Sequence, residues 1–253
     1  MSEGGTIIGG ATILCGDCIS VLGKTPAEFA DAAFVDPPYN IGFDYGRGKK
    51  ADLLPDADFV DWLDRLLSAT YRALKPDGTL WIMMGEKYTD ELGCLIRSSS
   101  YHRRRLVVWY ETFGVNQRSN FSPCARFLHY CVKDKKKFTW NPVRVPSARQ
   151  EKYKDKRAHP DGKVPDSVWT FSRVCGTFKE KVKGSAPNQI PIALVERAIR
   201  CTTRPGDVVL DCCAGTFTTA IAARNTGRRS VMIEQNPKYV ETGKKRLEES
   251  VGK

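Results

Sequence analysis

The clearest periodic pattern in the chain begins at Asp58. From there to Leu74 apolar residues recur every three or four positions, and a Pro-Asp-Gly turn follows at 76–78. This spacing predicts an amphipathic helix that packs one face against a core. Uninterrupted apolar runs stand on both sides of it, at 32–35 and 79–84, and such runs are typical of buried strands. A strand, a helix and a strand in this order predict a parallel sheet with right-handed crossovers.

The same alternation returns in the last third of the chain. Strands are predicted at 207–211 and 230–234, each followed by a helix, and another helix is predicted to begin at Pro191, a residue suited to the first helical position. In the middle, strands predicted at 105–110 and 126–133 have no helix between them, so we expect an antiparallel pair. The sequence therefore predicts one α/β fold with a mostly parallel sheet and an antiparallel hairpin.

The middle of the chain differs in both pattern and charge. Lys135–Ala186 shows no sustained period, and aromatic residues are interleaved among its many basic ones. From Arg97 to Ala186 there are 21 Lys and Arg against 7 Asp and Glu, a net charge of +14, whereas the remainder carries −3. Basic side chains suit phosphates and aromatic side chains suit bases, as a nucleic-acid contact surface requires. The alternative interpretation of this segment is a disordered linker. We predict that Lys135–Ala186 and the loops beside it contact a polyanion.

Cysteine content and hydropathy limit the compartment and the metal chemistry. No apolar run approaches the ~18 residues needed to cross a bilayer, and no signal peptide is evident, so no membrane contact is expected. An odd number of cysteines, nine, favours reduced thiols and a cytoplasmic location. Cys15 and Cys18 form a C-x-x-C without a second pair, which favours packing over a metal site.

Candidate chemistry begins where the strand at 32–35 ends. Asp36 is followed by Pro37, Pro38 and Tyr39, and each proline restrains its own φ and the residue before it. The Asp36 carboxylate and the Pro37 carbonyl can then serve as fixed acceptors beside an aromatic ring. They suit a planar base with an exocyclic amino group, whose two hydrogens they accept while Tyr39 stacks on the ring. A strand-to-turn junction with a capping Asp is the alternative interpretation.

A second candidate site lies near the C-terminus. The strand at 207–211 leads into a turn of small residues and a helix, and the next strand ends at Glu234. Such a unit binds nucleosides, because the small turn lets a ligand approach the helix and the acid can bind ribose hydroxyls. A dehydrogenase is the alternative, but it would carry G-x-G-x-x-G, which 212–219 lacks.

Together, the Asp-Pro-Pro-Tyr motif and the D-x-x-x-G-x-x-T-T motif at 211–219 resemble S-adenosylmethionine-dependent DNA amino-methyltransferases of the β group. In that group the catalytic motif precedes the cofactor motif, with a target-recognition region between them. The resemblance implies a Rossmann-like class I methyltransferase sheet with a circularly permuted motif order, S-adenosyl-L-methionine as cofactor and double-stranded DNA as substrate. It implies a catalytic part at 1–134, target recognition at 135–186 and a cofactor-binding part at 187–253. Asp before Pro-Pro-Tyr favours adenine N6, and cytosine N4 stays open.

The resemblance also implies roles for particular residues. Asp36, Pro37, Pro38 and Tyr39 are implied to be catalytic. Glu234 is assigned to the ribose hydroxyls and Asp17 to the adenine amino group, although helix capping is an alternative for Asp17. Asp211, Gly215 and Thr218 are assigned to the methionine end. The whole cofactor-binding set that the resemblance implies is Asp17, Asn188, Gln189, Asp211, Cys212, Ala214, Gly215, Thr216, Thr218, Glu234 and Gln235.

The chain departs from the family pattern in the cofactor turn. Cys212 and Cys213 replace Pro and Phe, and Phe217 replaces a glycine. We expect the Phe217 ring to turn inward and fill the volume left at Cys213. A catalytically impaired DNA-binding module that kept the fold is therefore an alternative to the enzyme. Cytosine C5 methylation through Cys124 and an RNA or protein methyltransferase are weaker alternatives. A homodimer, and a role in restriction–modification, are left open by the sequence.

Overall fold

A nine-stranded sheet forms the centre of the molecule in the computed structural model, which describes residues 5–46, 48–112, 114, 116–176, 178–182 and 188–251. The strands are β1 Thr6–Ile8, β2 Ala11–Cys15, β3 Ala30–Val35, β4 Leu74–Met84, β5 His102–Tyr110, β6 Ala125–Val132, β7 Val168–Thr170, β8 Val208–Asp211 and β9 Arg229–Glu234. Their order across the sheet is β1-β2-β9-β8-β3-β4-β6-β5-β7.

The predicted mixture of parallel and antiparallel pairing is confirmed. Strands β2, β9, β8, β3 and β4 pair in parallel, whereas β6 is antiparallel to both β4 and β5 and forms the expected hairpin with β5. Strands β1 and β7 were not predicted. They have three residues each, too few to show a period, and they are the two edge strands of the sheet.

Seven α-helices lie among the described residues. They are α1 Cys18–Lys24, α2 Asp56–Ala73, α3 Thr89–Ser98, α4 Ala148–Glu151, α5 Ile192–Thr202, α6 Thr218–Asn225 and α7 Pro237–Val251. In α2 the side chains of Phe59, Leu63 and Leu66 are buried, as the period of that segment predicts. Pro191 is the N-cap of α5 rather than its first helical residue, a correction of one position. None of the described helices is long and apolar enough to span a bilayer.

The parallel strands bring the two predicted motifs to one margin of the sheet, which we call the carboxyl edge. Asp36 follows β3 directly, β8 ends at Asp211 and β9 ends at Glu234. Because β3, β8 and β9 run in the same direction, their last residues lie side by side. Ligands of open α/β sheets bind at this edge, so the topology places both motifs where a shared ligand site is expected.

The predicted recognition segment begins at the opposite edge. Because β6 is antiparallel to β4, the chain leaves Val132 there, and Lys135 to Lys137 follow. It returns through β7, which is parallel to β5, so Thr170 points the chain back towards the carboxyl edge. From β7 onward the segment is therefore directed along the sheet towards the edge that carries the candidate site. Residues 183–186 of that segment lie outside the described residues, as does residue 187.

Phe217 turns inward, as expected, but its neighbours are not the expected ones. It precedes α6 with φ of 65°, the left-handed region, and its side chain is fully buried. Its apolar cluster includes Ile13, Met232 and Val240, whereas Cys213 packs in the other core. The expectation that Phe217 fills volume left at Cys213 is therefore wrong. Room comes from Gly243 in α7, where an added Cβ would overlap the Phe217 ring.

This packing predicts an unusual response to Gly243→Ala. Alanine ordinarily stabilises a helix relative to glycine, but here the new methyl group overpacks the core, so we expect a loss of about 1–3 kcal/mol in the free energy of unfolding. Chemical denaturation measures the change. Gly23→Ala is the matched control, because a Cβ at this position in α1 meets nothing within 4 Å. A double-mutant cycle of Gly243→Ala with Phe217→Leu should show coupling; strictly additive losses would contradict the proposed contact.

Candidate active site

A cavity of about 480 Å³ opens at the carboxyl edge. Its volume lies within the range of small-molecule sites. The cavity brings together every residue that the sequence assigned to catalysis or cofactor binding. These are Asp17, Asp36, Pro37, Pro38, Tyr39, Asn188, Gln189, Asp211, Cys212, Ala214, Gly215, Thr216, Thr218, Glu234 and Gln235. One cavity therefore joins the catalytic motif to the cofactor motif, although 171 residues of chain lie between Tyr39 and Asp211.

The Asp36 carboxylate is held from within its own loop. The Tyr39 hydroxyl donates a hydrogen bond of 2.7 Å to Asp36 Oδ1. The Tyr39 ring is only 8% exposed and lies against Gly85, where an added Cβ would be 3.0 Å from Cδ2. The sequence predicted Tyr39 as a stacking surface for a base. In this arrangement the hydroxyl orients Asp36, and little of the ring face is accessible.

Behind the loop stands an ion pair that the sequence analysis did not single out. Arg126 Nε and Glu111 Oε1 are 2.5 Å apart, and their side chains are 12% and 8% exposed. The Arg126 guanidinium lies 5.5 Å from the centroid of the Tyr39 ring and 5.2 Å from that of Trp109. Two charged residues at the adjoining ends of apolar hairpin strands are the signal that could have indicated this pair.

Burial and neighbouring charges together determine the electrostatics of Asp36. Burial raises the pKa of Asp36 to about 6, while Arg126 and the Tyr39 hydrogen bond act in the opposite direction and Glu111 adds to the rise. A carboxylate with this pKa is ionised at neutral pH and becomes protonated in mildly acidic solution.

In the cofactor turn, two carboxylates fix the backbone. Asp211 accepts hydrogen bonds from Cys213 N at 3.0 Å and from Thr219 Oγ1 at 2.6 Å, and burial raises its pKa to about 7. Glu234 accepts from the amides of Gly215 and Asn236, both at 2.8 Å, and burial raises its pKa as well. Each carboxylate oxygen can accept a further hydrogen bond, so both acids can serve a ligand while holding the turn.

Several residues predicted to bind the cofactor also make hydrogen bonds within the protein. Asp17 Oδ1 caps α1 by accepting from Ser20 N at 2.9 Å, as the alternative interpretation expected. The Gln189 side chain donates to Glu180 O at 2.6 Å. Thr218 Oγ1 accepts from Arg246 Nη1 at 2.9 Å. These contacts leave the predicted cofactor roles untested, but they show how the cavity wall is built.

The segment 41–55 contributes to the cavity wall and is held by hydrogen bonds at both ends. Asp52 is buried and accepts hydrogen bonds from the amides of Asn40, Ile41 and Phe43 at 3.0, 3.2 and 2.8 Å. At the other end, Asn236 Nδ2 donates to the Tyr45 carbonyl at 2.6 Å. Residue 47 lies outside the described residues. The segment thus links the catalytic loop to the helix that follows the cofactor strand. In the sequence, this role was indicated only by an acid, Asp52, in a glycine-rich loop.

Two residues of the chain between β5 and β6, Phe121 and Cys124, are not among the described residues that line the cavity. Phe121 is 95% exposed on the loop between β5 and β6, so it belongs neither to the core nor to the cavity wall as described. Cys124 is at the base of that loop, where its carbonyl accepts from Glu111 N at 2.8 Å. Nothing in this position places the Cys124 thiol on the cavity wall, which weakens the cytosine C5 alternative.

Comparison with known proteins agrees with this geometry. The chain is 34% identical over 249 residues to the DNA adenine methyltransferase YhdJ of Escherichia coli (strain K12), covering 94% of this chain and 82% of that protein. It is 32% identical over 239 residues to the type II methyltransferase M.HpaI of Haemophilus parainfluenzae, covering 93% and 74%.

Solved structures show the same fold at lower identity. The cytosine-N4-specific PvuII DNA methyltransferase superposes with a TM-score of 0.73 at 17% identity, covering 94% of this chain and 90% of its own. M1.HpyAVI in complex with SAM gives 0.65 at 21% identity, covering 94% and 98%. The model of the N6/N4 DNA methylase family matches residues 30–245. The chain therefore belongs to the N6/N4 DNA methylase family.

Proposed function

We propose that this DNA methyltransferase transfers the methyl group to adenine N6 in double-stranded DNA, with Asp36 and the Pro37 carbonyl holding the target amine. The observation that carries the proposal is the single cavity in which Asp36 meets the cofactor turn. Adenine is favoured because the relative YhdJ is named an adenine methyltransferase. Cytosine N4 is the second candidate, since the structurally similar PvuII enzyme is named N4-specific.

The cavity fits the cofactor of this family, S-adenosylmethionine. Its cofactor side presents the carboxylates of Asp17, Asp211 and Glu234, which suit ribose hydroxyls, an amino group and positive charge. Aromatic rings of Trp62 and Tyr239 also line it. Arg126 is the one cationic side chain among the described lining residues, and its charge is paired with Glu111. The carboxylates and rings would hold the cofactor, which supplies an electrophilic methyl group when bound.

The chain's own residues supply orientation and acceptors. An aryl amine is a poor nucleophile because its lone pair is delocalised into the ring. Acceptors on both amino hydrogens, from Asp36 and Pro37, favour a pyramidal nitrogen with an available lone pair. Tyr39 keeps one Asp36 oxygen fixed at 2.7 Å, so the carboxylate meets the amine in a set orientation. The target base must leave the duplex to reach this cavity.

For DNA binding, the best-supported surface lies in the basic segment. Val145 pairs with Lys163 in an antiparallel bridge, so the residues between them form a closed loop. Lys152, Lys154 and Lys156 are exposed there and suit phosphate contacts. A cytoplasmic location is proposed on the cysteine content of the sequence alone. The domain roles and a homodimer stay predictions.

Asp36→Ala should abolish methyl transfer while leaving cofactor binding largely intact. Asp36 is expected to orient the amine, and the cofactor turn has its own hydrogen bonds. Radiolabelled methyl incorporation into duplex DNA and calorimetric cofactor titration measure the two properties. Asp31→Asn, a change to an acid outside the cavity lining, is the control. Full methylation by the Asp36 variant would refute its role.

The raised pKa of Asp36 predicts a pH dependence. The acceptor is lost as pH falls through about 6, so the single-turnover rate should fall about tenfold for each unit well below that value and stay level above it. The experiment uses saturating cofactor and DNA, because product release can mask the chemical step. A rate independent of pH between about 5 and 8 would contradict an ionised Asp36 acceptor.

Duplex DNA binding should weaken steeply with salt. If about six phosphates are neutralised, a plot of log affinity against log salt has a slope of about −5. Changing Lys152, Lys154 and Lys156 to Gln should make the slope shallower by about 3. The same change at the exposed lysines of the body, Lys24 and Lys245, is the control and should alter it little. A salt-independent affinity would contradict the proposed interface.

A further inference from the structure

The buried ion pair behind the catalytic loop has no part in the function proposed so far. We propose that Arg126 and Glu111 act as positioning residues that set the charge and orientation of Asp36 for methyl transfer. This inference rests on the proposed role of Asp36 as the acceptor for the target amine. It assigns opposite electrostatic effects to the two members of the pair.

The guanidinium is fixed from several sides. Glu111 Oε1 accepts a hydrogen bond from Arg126 Nε at 2.5 Å, and the rings of Tyr39 and Trp109 flank the guanidinium. Trp109 is itself held, because its Nε1 donates to Phe171 O at 2.8 Å. Arg126 cannot move far without breaking a buried contact. Its positive charge therefore stays at a constant place on the cavity wall next to Asp36 and Tyr39.

Glu111 explains why this charge does not capture Asp36. An unpaired arginine beside a carboxylate would form a bidentate ion pair and occupy its oxygens. In the described part of the chain, Arg126 pairs with Glu111 and makes no hydrogen bond to Asp36. Arg126 thus favours the ionised form of Asp36 through space, and the carboxylate keeps an oxygen for the amine. Tyr39 holds the other oxygen.

The charges around Asp36 make the effect separable. The titratable groups that interact electrostatically with Asp36 lie in its own loop, in the 41–55 segment, at the ends of the two hairpin strands and in the cofactor turn. These groups are Tyr39, Tyr45, Glu111, Arg126 and Asp211. Arg126 is the cation of this set. Removing it should raise the pKa of Asp36, whereas neutralising Glu111 should lower it.

The test is the pH profile of the single-turnover rate of duplex DNA methylation, at saturating cofactor and DNA. Arg126→Met should move the acid limb of the profile, where the rate falls with falling pH, to higher pH by about one unit, and therefore slow the reaction about fivefold at pH about 6. Glu111→Gln should move the limb to lower pH. Arg126→Lys keeps the charge but loses the planar fork, so its limb should stay near that of the wild type while the plateau rate falls.

Lys75→Met is the matched control, because Lys75 forms a 2.5 Å ion pair with Asp31 outside the cavity lining. Its acid limb should not move. If the ion pair is purely structural, Arg126→Met and Glu111→Gln both lower the plateau rate without moving the acid limb, or they move it in the same direction. Either result overturns the proposal.

Thermal melting and cofactor titration establish that each variant is folded. If Arg126→Met does not fold, Glu111→Gln decides, since a limb that stays in place or rises to higher pH refutes the inference. An active Asp36→Ala enzyme would refute the role of Asp36 itself. Inactive Asp36→Ala with unmoved limbs in the ion-pair variants would refute only the inference drawn from Arg126 and Glu111.

Discussion

The structure depends on keeping carboxylates buried at the carboxyl edge of the sheet. Desolvation opposes the charge of each acid, so each one needs compensating contacts. Asp211 and Glu234 find them in the amides and the hydroxyl of the cofactor turn. Asp36 finds them in Tyr39 and in the field of Arg126. The shape of the turn, the course of the catalytic loop and the polarity of the cavity all follow from these contacts.

Much of the fold could be predicted because its central elements carry strong local signals. The period of α2 and the apolar runs of β3 and β4 required no tertiary information. The three-residue strands β1 and β7 could not be predicted, since they are strands only through their neighbours. The same limit applies to the middle segment, whose route from one edge of the sheet to the other is set by the antiparallel direction of β6.

The candidate site divides in the same way. Motif residues such as Asp36 and Glu234 were predictable because a strand end, a turn and a residue type occur together in the sequence. Arg126, Glu111 and Asp52 were not, because their importance arises from register and loop closure. Tyr39 shows an intermediate case: its presence in the cavity was predicted, but its hydrogen bond to Asp36 depends on how the two prolines direct the loop.

Phe217 shows how a departure from the family pattern can be absorbed outside the site. A bulky residue at positive φ is strained, and this one follows the turn that was expected to bind the cofactor. Its ring nevertheless points into the cluster beneath α7, and Phe217 is not among the described residues that line the cavity. The residue that makes room for the ring is Gly243, 26 positions away in sequence, rather than the cysteines of the turn. Because the substitution is accommodated in the core, it supplies no steric reason for the cavity to lose its cofactor, and the catalytically impaired alternative loses the observation that motivated it.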